Sequence, residues 1–245
     1  MAAPYELIYY GGVPGRGEHI RLVLEEAGES YSDTATLPFD QGREAVTTIL
    51  QGQEGNPPYY APPTFKQGDL IIAQTSNILM FLGRKFGLSG SGENDFYRVN
   101  ALALTALDGL SNEVHDCHHP IAVELYYEEQ KEESHRRSKE WVKTRLPKHL
   151  GYWQRVLEST DGPWLLGDTF TYADIVLFQC IDGVHFSFPK AMIQARQSGK
   201  YDLVFQLWEA VQARPNIAAY LSSARRQKYD WGIYRYYPEN DVVSD

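Results

Sequence analysis

A chain of 245 residues can form one large domain or two small ones, and its 43% hydrophobic and 22% charged residues are those of an ordinary globular protein. A net charge of −9 argues against nucleic acid and anionic membranes as partners, because phosphate binding needs a basic face, yet a local basic pocket for a small anion is still allowed. Two cysteines, Cys117 and Cys180, do not make a disulfide scaffold. Met1-Ala2-Ala3-Pro4 does not read as a signal peptide and no apolar run is long enough to span a bilayer, so a cytoplasmic, reducing location is expected.

Glu6 to Tyr10 reads as a first strand, closed by Gly11-Gly12. Glu18 to Ala27 places Ile20, Leu24 and Ala27 on one helical face, and Gly28 stops that helix. Tyr31 to Leu37 is a candidate second strand, and Pro38 to Pro62, dense in Gly, Pro and Tyr, reads as loop. Thr64-Phe65, a Lys66–Asp69 turn and Leu70–Ile72 read as a hairpin, followed by a helix over Ser76 to Phe86. The order βαβ then ββα implies a small α/β layer over residues 1–88, and Ser89-Gly90-Ser91-Gly92 is the obvious linker. Residues 93–245 read as an all-helical domain with an aromatic tail. Its helices are expected at Asp95–His119, Glu124–Leu157, Thr171–Asp182, Tyr201–Gln212 and Pro215–Arg226.

Three constellations stand out. In the first, Tyr10 ends a strand and Val13, Arg16, Glu18 and Arg21 follow in a Gly-rich turn that enters a helix. A hydroxyl at that place lies where α/β folds bind ligands, although a core tyrosine would satisfy the same pattern. In the second, Pro62-Pro63-Thr64-Phe65 is followed by Gln74-Thr75-Ser76 at a helix start. There Thr75 or Ser76 is either a plain cap or part of a carboxylate site. In the third, Thr171 and Asp174 stand at capping-box spacing, with Phe170 and Ile175 as a candidate staple, and this reads as folding apparatus.

Together these features resemble the cytosolic glutathione transferases over roughly residues 5 to 225, most specifically in PTFKQGDLIIAQTSNILMFLGRKFGL, residues 63–88. The likeness is greatest to the tyrosine-type Pi, Mu and Sigma classes. It implies a thioredoxin-like N-terminal domain, an all-α C-terminal domain and a homodimer. It also implies transfer of glutathione, as co-substrate rather than cofactor, to a small hydrophobic electrophile, with peroxidase or isomerase chemistry as a side activity. The alternative on the same fold is a non-catalytic glutathione- or ligand-binding protein.

Carried over residue by residue, the resemblance gives Tyr10 the role of donating its hydroxyl to the glutathione sulfur. Gln74 and Thr75 would hold the γ-glutamyl end. Arg16 would support the turn and its positive field, and Arg43 would take the glycyl carboxylate. Phe39 stands where the Pi and Mu classes have tryptophan, so one indole N–H donor would be missing. The bond before Pro63 would be cis, and Pro62, with no N–H, could supply only half of the usual backbone pair to the cysteinyl unit. Asp108 would reach the partner's glutathione, and Tyr59 would plug into the partner. Tyr9 competes with Tyr10, since strand alternation lets only one of them serve. His115-Asp116-Cys117-His118-His119 admits a metal reading, a plain polar surface, or contact of His115, His118 and His119, with Val13, to the second substrate. No metal is assigned.

Overall fold

A computed structural model describes residues 4–52 and 57–243. Residues 1–3, residues 53–56 of the Gly/Pro/Tyr-dense stretch and residues 244–245 lie outside that range. The chain packs as two compact units, Met1–Asn100 with Gln212–Lys228, and Ala101–Val211 with Tyr229–Asp245.

The first unit is built on four strands: β1 (Tyr5–Ile8), β2 (Tyr31–Asp33), β3 (Thr64–Gln67) and β4 (Leu70–Ala73). Their order is β2-β1-β3-β4, with β1 parallel to β2 and the other pairs antiparallel. Strand alternation sorts the apolar side chains onto two faces. Leu7, Phe65 and Ile72 form one row, on the side covered by α1 (Gly17–Glu26) and α3 (Thr75–Lys85), which also pack on each other. Ile8 and Ile71 face the other way and meet Val46 and Ile49 of α2 (Phe39–Leu50), with Leu50 and Tyr59 against them.

Helix α2 corrects the loop expected from Pro38 to Pro62. Only Gly42, Val46 and Ile49 of its twelve residues are buried, so its apolar stripe is thin. Gly42 lets the helix sit against the 3₁₀ turn Thr34–Thr36, because a Cβ there would lie 2.7 Å from the Thr34 carbonyl oxygen. That 3₁₀ turn also shortens the expected second strand to Tyr31–Asp33.

The segment 212–228 returns to the first unit through α11 (Pro215–Leu221), which packs on α1. Charges fix it there: Arg214 pairs with Glu26, Arg225 with Glu25, and Arg226 with the buried Glu18.

The second unit surrounds α8 (Tyr172–Ser187), which is apolar on all sides and buried along almost its whole length. The Thr171–Asp174 capping box forms as expected. The Asp174 carboxylate accepts from the Thr171 N–H and hydroxyl and, beyond the box, from the Leu165 N–H at 2.8 Å. Two expected long helices each contain a π turn. Residues 93–118 run as α4 (Glu93–Thr105), π turn Ala106–Ser111 and α5 (Asn112–His118). Residues 131–158 run as α6 (Lys131–Glu140), π turn Trp141–Arg145 and α7 (Leu146–Glu158), starting later than expected. Helices α9 (Pro189–Gln197) and α10 (Asp202–Gln212) complete the set.

Candidate active site

The sheet register brings the first two sequence constellations together. Ile8 pairs with Thr64, and Thr64 with Ala73, so the end of β1, the start of β3 and the end of β4 share one edge. Chain continuity then places Tyr9-Tyr10, Pro62-Pro63 and Gln74-Thr75 at that edge, beside the N-termini of α1 and α3. Two helix ends with free N–H groups face the same side, which favours an anionic ligand.

The two tyrosines are sharply distinguished. Tyr9 is buried, and its hydroxyl accepts the Arg16 N–H at 3.0 Å. Its ring lies against Gly15 and Gly17: a Cβ on Gly17 would stand 2.7 Å from the ring, and one on Gly15 would collide with the hydroxyl. Burial pushes the Tyr9 phenol above its ordinary range, against the opposing pull of the Arg16 N–H. Tyr10 is 36% exposed, and its ring is tilted against that of Tyr9. Both lie just past the last β1 residue, Ile8, so the strand is shorter than expected. Thr34 fixes this exit by donating to the Tyr9 carbonyl at 2.7 Å and accepting the Tyr9 N–H at 2.9 Å.

At the start of α3, Gln74 occupies the cap position with φ 73°, a left-handed conformation that costs a non-glycine residue about 1 kcal/mol or more. Neither Thr75 nor Ser76 caps the helix, which corrects the sequence reading: Thr75 is already its first residue. The Gln74 side chain is exposed, while the Thr75 hydroxyl is buried with no hydrogen-bond partner among the described residues. A buried hydroxyl left in that state at a helix N-terminus suits a ligand that brings its own donor or acceptor. The Pro62–Pro63 bond is cis. Arg16 is half-buried, and Phe39 and Arg43 lie one turn apart on α2, both exposed.

Sequence reasoning missed what holds the turn between β1 and α1. Arg21, with 1% of its side chain exposed, donates to Asp33 at 2.6 Å, to Glu18 at 3.0 Å and to the Pro14 carbonyl at 3.2 Å. The Tyr220 hydroxyl donates to Glu18 at 2.7 Å, and the Gly12 N–H donates to Gln227 at 2.8 Å. Glu18 and Arg21, three apart in the first half of α1 and so on one face of it, were the available signal. His19 is buried between them in sequence, and its imidazole is driven down to about 3 by burial, with Arg16 and Arg226 adding to the effect.

In the second unit Asp108 lies exposed on the first π turn, between buried Leu107 and Leu110. Gly109 of that turn accommodates the His149 ring, since a Cβ there would lie 2.6 Å from its Cε1. Glu113 gathers the surrounding donors, accepting from Arg145, from Trp141 Nε1 at 3.1 Å and from His149 Nε2 at 3.2 Å. Burial pushes the Glu113 carboxyl up, but Arg145 and His149 outweigh it and hold the group below the ordinary range.

Val13 and His118 are each 2% exposed and so are covered by their own chain, whereas His115 and His119 keep part of their rings accessible. His118 Nε2 bonds the Ile233 carbonyl at 2.9 Å, and burial drives its imidazole down to about 3. Among the described residues no group of His, Cys, Asp and Glu is arranged to hold a metal ion. Tyr59 packs against its own core cluster, while the neighbouring Tyr60 is 98% exposed.

A β-α-β, β-β-α layer with a cis-proline before its third strand, followed by helices around an apolar central one, defines a thioredoxin-like α/β unit joined to an all-α unit. The family model described as "Glutathione S-transferase, C-terminal domain" matches residues 115–224. Glutathione S-transferase P 10 of Caenorhabditis elegans is 28% identical over 93% of this chain and 95% of its own. Glutathione S-transferase P 1 of Xenopus laevis is 26% identical over 92% and 95%. Among solved structures, the Pi-class glutathione S-transferase of Onchocerca volvulus shares the fold with a TM-score of 0.67 at 23% identity, covering 89% of this chain and 92% of that one. Along most of its length the chain is similar to glutathione transferases, and its residues 115–224 match the model of their C-terminal domain.

Proposed function

We propose that this glutathione transferase uses the Tyr10 hydroxyl to hold the glutathione sulfur as thiolate, which then attacks a small hydrophobic electrophile. The observation that carries this reading is the contrast between the tyrosines: Tyr9 has its hydroxyl committed to the Arg16 N–H, and Tyr10 is exposed at the ligand edge. A free thiol has a pKa of about 8.5, and the thiolate is the nucleophile. A hydroxyl donating to sulfur favours the charged form, and the nearby helix N-termini add to it. Lowering the pKa by about two units requires about 2.7 kcal/mol, which one charge-assisted hydrogen bond and a helix end can supply. The thiol proton leaves to solvent, and no covalent bond to the protein forms.

Gln74 and Thr75 take the γ-glutamyl end, Arg16 supports the field of the turn, and Arg43, with Phe39 beside it, takes the glycyl carboxylate. Pro63 sets the loop beside the cysteinyl unit. The active form is a homodimer in which Asp108 reaches the partner's glutathione. Both cysteines are free and buried, which suits the reducing cytoplasm.

The test is the pair Tyr10→Phe and Tyr9→Phe, assayed with an aryl halide across pH. Tyr10→Phe should lower turnover near neutral pH by about ten- to a hundredfold, with partial recovery as pH rises, since each pKa unit is about tenfold. Tyr9→Phe should leave the pH profile unchanged. Loss of activity in Tyr9→Phe with retention in Tyr10→Phe would shift the role by one residue, and no effect in either would end the tyrosine assignment.

A further inference from the structure

The two π turns of the second unit are joined through His149. The ring edge carrying Cε1 and Nδ1 lies so close to Gly109 of the first turn that a Cβ there would stand 2.6 Å from Cε1 and 3.2 Å from Nδ1. The opposite corner of the ring, Nε2, lies 3.2 Å from Glu113 Oε2. A carboxylate only accepts, so Nε2 carries the proton, and burial holds the imidazole below its ordinary range in spite of Glu113. Glu113 is held in turn by Trp141 Nε1 at 3.1 Å and by Arg145, the first and last residues of the second π turn. His149 is buried, so the ring is fixed at both ends.

A π turn adds one residue to a helix, and one added residue rotates the side chains that follow by about 100°. Asp108 is the third residue of the first π turn, directly before Gly109. It is exposed and makes no ion pair among the described residues. The direction of its carboxylate therefore follows from how that turn is seated. Gly109 has no side chain with which to anchor the turn, and the His149 ring occupies the space a side chain would take. We propose that His149 is a positioning residue for the transferase reaction: clamped by Glu113, it seats the π turn that aims Asp108. This rests on the reading that Asp108 reaches the partner's glutathione. It predicts that His149 and Glu113 act on glutathione binding through Asp108, and leave the chemistry at Tyr10 alone.

The test is a double-mutant cycle read on the KM for glutathione, with an aryl halide held at saturation. Asp108→Ala should raise that KM about tenfold, the loss of one charge-assisted hydrogen bond. His149→Ala should raise it about fivefold, with kcat and its pH profile unchanged. In the Asp108→Ala background the same change should add less than about twofold, because the residue it positions is gone. A purely structural His149 would instead cost the same factor in both backgrounds. Glu113→Gln keeps the shape of the anchor and so reports on a folded protein even if His149→Ala unfolds it. It should raise the KM about threefold, again only where Asp108 is present. No effect of Asp108→Ala would overturn the reading of Asp108 and this inference with it. A tenfold effect of Asp108→Ala, with the His149 and Glu113 variants either silent or fully multiplicative, would overturn this inference alone.

Discussion

Replacing Arg21 by Met tests whether the buried charges of α1 hold the turn that leads to the site. Met keeps the length and apolar stem of the side chain and removes only the guanidinium, so packing changes little. In the native fold the side chains of Arg21, Glu18 and Asp33 are 1%, 0% and 7% exposed. Without the guanidinium, Asp33 keeps only the Ala35 N–H, while Glu18 retains Arg226 and Tyr220. Breaking a buried pair by removing one partner costs about 3–5 kcal/mol, and the second cation on Glu18 sets the expected loss near the lower figure, about 3 kcal/mol. That is a large share of a net stability of about 5–15 kcal/mol. At about 2–4 °C per kcal/mol for a chain of this size, the midpoint of thermal unfolding should fall by about 6–12 °C. Arg21 also donates to the Pro14 carbonyl, so the KM for glutathione should rise. Adding Asp33→Asn removes the carboxylate left without a cation, and should return more than half of the lost stability. A loss under about 1 kcal/mol in urea titration, or a double variant weaker than Arg21→Met, would refute the reasoning.

Three further outcomes follow from the buried imidazoles and the expected dimer. His19 and His118 stay neutral in the fold down to about pH 3, while the unfolded chain takes up their protons below about 6.5, so each contributes stability that is lost as pH falls through that window. Between pH 7 and 5 each should cost about 2 kcal/mol, and His118→Gln, which keeps a donor for the Ile233 carbonyl, should remove its share of the slope; an unchanged slope by urea titration at the two pH values would exclude it. Sedimentation at micromolar concentration should give twice the 27.9 kDa chain mass, a monomer counting against Asp108 acting across the dimer. Tyr60→Ala should favour the monomer more than Tyr59→Ala does, because Tyr60 is the free ring.

What the sequence made legible was whatever short-range chemistry decides. The hairpin and helix of residues 64–85, the cap box at Thr171 and the turn after Tyr10 all stand close to where local patterning puts them. Alternation was expected to set Tyr9 and Tyr10 on opposite faces, yet both lie past the strand with their rings in contact, and the room for Tyr9 to turn inward comes from Gly15 and Gly17, several residues away. Helix α2 escaped because its stripe is thin and β-branched, and its seat depends on Gly42 meeting the Thr34 carbonyl.

Distance in sequence explains the remaining gaps. At the first π turn the His149 ring rests on Gly109, a contact with a distant helix that a window along the sequence does not see. The aromatic, acidic tail is the extreme case. Tyr234 is fully buried over Gly183, where a Cβ would strike its ring. Asp241 is buried and accepts the Lys190 N–H at 3.1 Å, so the start of α9 is capped by a carboxylate some fifty residues downstream. Pro189 opens α9 and is itself a start signal, but no side chain next to it supplies a cap, so the local pattern for this helix was only half complete. The first N–H groups of α9 are satisfied from the far end of the chain, by a carboxylate that the fold brings to them. The cap of α9 is therefore a property of the tertiary structure, and no reading of residues 189–197 alone contains it.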